Sequence, residues 1–173
     1  KDKIYPCSTN KIKLISVGRL EYVKGFDLLI NIIHKLNDTK YHLLIIGDGF
    51  QKENLKLQVD RLKLNNSVSF LGFQDNPFSY MSQSDLMLVG SRYDSFPNTV
   101  LESLALGVPV ISFDCPGGIS EIIEPNKNGE LVRVGDLDCF ANTISQWKNS
   151  CYDKSDIINM AIEKYGIDRI INL

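Results

Sequence analysis

The chain has 173 residues, which fits one domain of ordinary size built on a single core. Hydrophobic residues make up 43% and charged residues 23%, the balance of a folded globular protein, which excludes a disordered chain. A formal net charge of -2 at pH 7 argues against a nucleic-acid binder, although a few local cations suffice to hold one small phosphate group.

Strand and helix patterns alternate along the whole chain. Ile12–Val17 is a short β-rich run, and after a polar loop Phe26–Leu36 carries Phe26, Leu29, Ile30 and Ile33 at helical spacing. The apolar run Tyr41–Ile46 ends at Gly47-Asp48-Gly49, and residues 51–64 read as an amphipathic helix with Leu55, Val59 and Leu62 on one face. A strand is predicted over 68–71, a short helix over 77–82, a strand at Leu86–Val89 and a helix over 98–106. Residues 108–113 form the next strand, 119–123 a short helix, and 130–132 a last strand after an Asn128-Gly129 turn. Helices over 138–147 and 155–165 follow. Near-continuous apolar strands separated by helices are buried on both faces, which means a parallel sheet. The fold class is therefore α/β, a Rossmann-like doubly wound parallel sheet with helices on both faces.

No apolar run approaches the ~20 residues that span a bilayer, and no signal-peptide pattern opens the sequence. Cys7, Cys115, Cys139 and Cys151 are scattered, with neither metal-ligand spacing nor a disulfide framework, as suits a reducing compartment. A cytoplasmic location is the default. Both ends read as cut from a longer protein: residues 1–10 lead straight into a strand, and residues 167–173 stop on an apolar run with no helix-stop signal.

Ligands of open α/β sheets bind at the carboxyl ends of the strands, so the turns at 18–25, 47–50, 72–75, 90–98 and 114–118 form one functional edge. In the first turn Arg19 and Lys24 flank a loop that feeds a helix: Arg19 offers a planar fork to phosphate oxygens and Lys24 a mobile point charge. Ordinary solvated loop charges would look the same. The turn is neither a GxGxxG nor a Walker loop. The second constellation is residues 91–102, where Asp94 sits in a turn and a helix begins at Asn98 or Thr99 with its first amides aimed at the cleft. Glu102, one turn in, is placed to accept hydrogen bonds from two vicinal ribose hydroxyls. The bland readings remain open beside these: Thr99 and Glu102 also fit a capping box, and Asp94 a turn-former. His34 and His42 read as structural, Cys115 lacks a His partner, Trp147 suits the core or an edge, and Gly117 and Gly118 read as room for close helix–sheet approach.

The combination SVGRL…KG, IIGDG, FLGF and SRYDSFPNTVLESLALGVPVISFDCPGGISEII resembles the carboxyl-terminal domain of the family-4 retaining glycosyltransferases of GT-B fold, over residues 11–140. The resemblance implies a single nucleotide-sugar donor-binding domain over residues 1–173, with a separate amino-terminal acceptor domain outside this chain. Arg19 and Lys24 match the basic pair on the donor diphosphate. Asp94 matches the first acid of the E-x7-E motif, which faces the transferred sugar, and Glu102 the second, on the ribose. Phe96, Pro97, Asn98, Thr99 and Val100 match the segment whose backbone meets phosphate and sugar, and Gly72 and Phe73 the turn beside the nucleobase. Aspartate in place of the usual first glutamate is one methylene shorter and changes the reach to the sugar.

The expected activity is metal-independent, retaining transfer from a nucleoside diphosphate sugar, UDP- or GDP-linked, to a glycan or lipid-linked acceptor. No cofactor, metal or nucleic acid is implied, and peripheral membrane contact would belong to the full enzyme. Alternatives are a nucleotide-sugar epimerase of the same architecture, a non-catalytic nucleotide-sugar-binding module, and a flavodoxin-like or receiver domain, which the paired cations fit poorly.

Overall fold

The computed structural model describes residues 5–7, 10–95, 97–147 and 152–166. Phe96, Cys151 and residues 167–173 lie outside the described residues. Six strands, β1 (Ile12–Val17), β2 (Tyr41–Ile46), β3 (Val68–Gly72), β4 (Leu86–Val89), β5 (Val110–Asp114) and β6 (Gly129–Arg133), form one all-parallel sheet in the order β3-β2-β1-β4-β5-β6. This is the order of dinucleotide-type doubly wound sheets and differs from the flavodoxin order, so the receiver-like alternative falls away.

Side chains alternate across each strand, and every strand has apolar residues for both faces. Leu14, Leu43, Ile45, Leu88 and Phe113 point to a layer made by α1 (Phe26–Leu36), α2 (Lys52–Arg61) and α6 (Leu137–Gln146). Ile15, Leu44, Ile46, Met87 and Val110 point to the opposite layer of α3 (Phe78–Met81), α4 (Asn98–Ala105), α5 (Ile119–Ile122) and α7 (Lys154–Tyr165). Each Leu, Ile or Phe fully removed from water contributes about 1.5–3 kcal/mol, so the paired layers bury the sheet because both faces demand it.

Several boundaries differ from the sequence expectation for local reasons. The second helix stops at Arg61 because Lys63 turns left-handed (φ 57°) and the Leu64 N–H reaches back to the Val59 carbonyl at 2.9 Å. Pro109 has no N–H for the ladder, so β5 begins at Val110. Asn126 is left-handed (φ 64°) and makes the turn before β6, so Gly129 already lies in the strand. The last two helices begin at Leu137 and Lys154, each capped by the preceding aspartate.

Candidate functional site

The chain runs from β1 outward through β2 and β3, returns, and runs from β4 through β5 to β6 on the other side. Strand order therefore reverses between β1 and β4, and a crevice opens beyond their carboxyl ends. A cavity of about 330 Å³ there is lined by Val17, Gly18, Arg19, Gly47, Phe73, Thr99 and Glu102, with Gln74 and Pro77 completing its far wall. A smaller hollow next to it is lined by Lys24, Gly90, Ser91 and Asp94, and shares Val17 and Thr99 with the first.

Arg19 projects from the β1–α1 loop with its side chain 76% exposed and, among the described residues, pairs with Glu21 alone at 3.3 Å. Lys24 ends a short 3-10 turn, Tyr22–Lys24, and its ammonium donates to Asp94 Oδ2 at 2.8 Å. Asp94 is buried, and the same oxygen accepts from the Ser91 hydroxyl at 3.3 Å. Two sequence-selected groups 70 residues apart thus meet as an ion pair across the crevice.

Asp94 is no isolated turn-former: its N–H donates to the Pro116 carbonyl at 3.1 Å, and the Gly118 N–H returns to the Asp94 carbonyl at 3.2 Å. Gly117 makes this possible. A Cβ there would sit 1.9 Å from the Asp94 carbonyl oxygen, and its φ of 127° suits glycine alone. The two glycines of this turn therefore serve the Asp94 loop, a different purpose from the helix–sheet approach expected.

Helix α4 starts at Asn98 after a buried Pro97 that provides no side-chain cap. The Glu102 carboxylate makes no hydrogen bond among the described residues, so the capping box is not formed. It lines the crevice instead, and burial raises its pKa above the usual glutamate range. Val100 is buried in the core and its N–H donates to the Pro97 carbonyl at 2.9 Å, so of this segment Thr99 faces the cavity while Asn98 is solvent-exposed. Gly72 closes β3 with its carbonyl accepting from the Gly47 N–H at 2.9 Å, and Phe73 beyond it is 71% exposed on the cavity wall. Phe96, expected in the same segment, lies outside the described residues.

Sequence reasoning passed over Arg92. Its guanidinium donates Nη1 to Asp27 Oδ1 at 2.8 Å and Nη2 to Asp27 Oδ2 at 2.7 Å, and Nη1 also reaches the Tyr22 carbonyl at 2.6 Å. It stacks 3.9 Å from the Tyr22 ring centroid, and the Arg92 N–H donates to the Val23 carbonyl at 2.8 Å. Beside this clamp the backbones of Gly25 and Gly90 touch: a Cβ on Gly25 would fall 1.8 Å from the Gly90 carbonyl oxygen. No local signal marks such contacts, because the partners are 65 to 70 residues apart.

The residues read as structural are placed accordingly. His34 is exposed on α1, and His42 is buried with Nε2 3.0 Å from Ser69 Oγ. Cys115 is buried, and burial, then the nearby Asp94 charge, push its thiol pKa up, which suits an inert thiol. Trp147 packs against the α1–α6 layer.

With this geometry fixed, known proteins resemble the chain in both sequence and fold. The family model described as glycosyl transferases group 1 matches residues 1–164. The Campylobacter jejuni N-acetylgalactosamine-N,N'-diacetylbacillosaminyl-diphospho-undecaprenol 4-alpha-N-acetylgalactosaminyltransferase is 35% identical over 121 residues, which cover 70% of this chain and 33% of the relative. The Escherichia coli lipopolysaccharide 1,6-galactosyltransferase is 28% identical over 155 residues, 85% of this chain and 43% of the relative. The crystal structure of Anabaena Alr3699/HepE in complex with UDP shares the fold with a TM-score of 0.83 at 24% identity, over 94% of this chain and 47% of that one. The chain thus spans less than half the length of each of these proteins. The match to that family model over residues 1–164 shows that the chain belongs to the glycosyl transferases group 1 family.

Proposed function

We propose that the chain is the donor-binding half of a glycosyltransferase and that the crevice between β1 and β4 takes a nucleoside diphosphate sugar. One observation carries this reading: Arg19, Phe73, Thr99 and Glu102 line one cavity, and Lys24, Asp94 and Thr99 line the hollow that continues it. In this reading Phe73 and the Gly72 turn cover the base, Glu102 accepts from the ribose hydroxyls, and Arg19 and Lys24 meet the diphosphate. The start of α4 adds its dipole on the same side.

Sugar transfer develops negative charge on the departing diphosphate and positive charge at the anomeric carbon. In this reading the two cations stabilise the first, and the Asp94 carboxylate, once released from Lys24, stabilises the second. The cations carry the role that a divalent ion has elsewhere, so the reaction is proposed to need no metal; retention of anomeric configuration is proposed on the sequence resemblance alone. Because Lys24 is paired with Asp94 at rest, the incoming phosphate must compete for the ammonium and leave Asp94 free to turn toward the sugar. A glycan or lipid-linked acceptor would be supplied from the other half of the protein. Among the described residues no helix is long and apolar enough to cross a membrane. UDP is the first ligand to test, since HepE, which shares the fold, was crystallised with it.

The test is calorimetric titration with UDP, GDP and ADP, with and without EDTA, repeated on Glu102→Gln. Saturable binding of one nucleotide, unchanged by EDTA, is expected. Glu102→Gln should weaken it about ten- to hundredfold, the worth of hydrogen bonds to a charged group. The same substitution should hold or raise the melting temperature at pH 7. A glutamate whose folded pKa is raised loses stability as it ionises, and glutamine removes that burden. Unchanged affinity with lowered stability would return Glu102 to a structural role and sink the ribose assignment.

A further inference from the structure

Arg92 holds the first loop of the crevice from the second. It lies in the β4–α4 loop, two residues before Asp94, and among the described residues its side-chain hydrogen bonds, its N–H and its ring contact all cross to the β1–α1 side. The Tyr22 carbonyl, the Val23 carbonyl and the Tyr22 ring are grasped just before Lys24, and the Asp27 carboxylate three residues after it. Lys24 therefore sits inside a bracket closed at both ends by one side chain. The bracket is built for rigidity: a bidentate guanidinium–carboxylate pair fixes orientation as well as distance, and stacking on Tyr22 fixes the plane. Its side chains are 22% and 35% exposed, so solvent screens it only in part.

We propose that Arg92 is a positioning residue, which holds the Tyr22–Lys24 turn so that the Lys24 ammonium is presented to the donor diphosphate. This rests on the donor-site reading above and adds a residue that touches no substrate. A lysine left on a free loop would spread its charge over many rotamers, and ordering it on binding would cost affinity. The clamp meets that cost during folding. Arg92 never loses its charge near neutral pH, so the presentation holds throughout the range in which a diphosphate is ionised.

The experiment compares wild type, Arg92→Gln, Lys24→Ala and the double variant by titration with UDP and with uridine, and follows amide hydrogen exchange at Lys24 and Gly25 by NMR. These two N–H groups donate to Glu21 and Tyr22 carbonyls at 3.0 and 3.2 Å and report the turn directly, without any ligand. Arg92→Gln should lower UDP affinity about tenfold, leave uridine within about twofold, and speed exchange at both amides about tenfold. In the Lys24→Ala background the UDP effect should vanish. Arg92→Lys, which keeps the charge but not the fork, should fall between wild type and Arg92→Gln, and it serves as the test variant if Arg92→Gln does not fold. Equal losses for UDP and uridine, the same UDP loss without Lys24, or unchanged affinity in a folded variant would overturn the proposal. If the wild type binds no nucleotide, the donor-site reading fails, and the clamp is decided by exchange alone: faster exchange at Lys24 and Gly25 sustains it, unchanged exchange ends it.

Discussion

His42 occupies the second position of β2 with its ring enclosed, Nε2 on the Ser69 hydroxyl and the Tyr5 ring edge-on at 5.9 Å. Nδ1 is buried and has no partner among the described residues. Burial first, and the Lys11 charge second, lower its pKa from 6.5 to about 4. The folded state therefore prefers the neutral ring, and this contribution is whole above about pH 6.5 and lost as pH falls toward 4. Between pH 7.5 and 5 the wild type should lose about 2 kcal/mol through this one group. Urea unfolding at the two pH values checks it: His42→Gln should show a smaller drop by about that amount, and identical drops would remove His42 as the cause. The sequence showed that His42 lacked catalytic company, but not that it was shut in, because enclosure depends on Tyr5 and Ser69 arriving from other segments. The same limit governs the crevice. Arg19, Lys24, Asp94 and Glu102 are recognisable by residue type and spacing, whereas the Lys24–Asp94 pair and the Arg92 clamp exist only after β1 and β4 are neighbours.

Elements were more legible than their ends. Ile12–Val17, Phe26–Leu36, Tyr41–Ile46 and Leu86–Val89 coincide with the expected spans, since apolar periodicity and flanking polar turns agree there. Where they disagree, a single local fact decides: the missing N–H of Pro109, the left-handed Lys63, the aspartate side-chain caps. Asp153 illustrates the last case. Its carboxylate accepts from the Ser155 and Asp156 N–H groups at 2.8 and 3.1 Å, which sets the start of α7 one residue before the expected 155. Among the described residues no other side chain caps that end, while Ile157 and Ala161 hold the helix to the core. Asp153→Ala should therefore cost about 1 kcal/mol, and Asp153→Asn much less, since asparagine caps nearly as well. Thermal melts of the two variants decide it. Equal losses would mean that charge, not the cap hydrogen bond, carries the effect.

The molecule as a whole is two apolar layers that share one sheet, and neither layer has its own strands. Each strand sends neighbouring residues to opposite sides, as Leu14 and Ile15 or Leu43 and Leu44 do, so loss of one layer strips half of every strand's packing. The two layers should consequently unfold together, although the helices that build them are interleaved along the chain. Trp147 is the one tryptophan and packs on the α1–α6 side, which makes its fluorescence a reporter of that layer. Ile157 lies on the opposite side, on α7, and is 1% exposed. Ile157→Ala should destabilise by about 2–5 kcal/mol through lost burial and a residual cavity. Coupling through the sheet requires that the Trp147 fluorescence transition in urea move to lower concentration by the same amount as the far-ultraviolet dichroism, with the slopes unchanged. If the dichroism shifted while the Trp147 curve stayed in place, the layers would be separate cooperative units. The crevice, whose walls draw Arg19 and Lys24 from one side of the switch point and Asp94 and Glu102 from the other, would then lack a common rigid base.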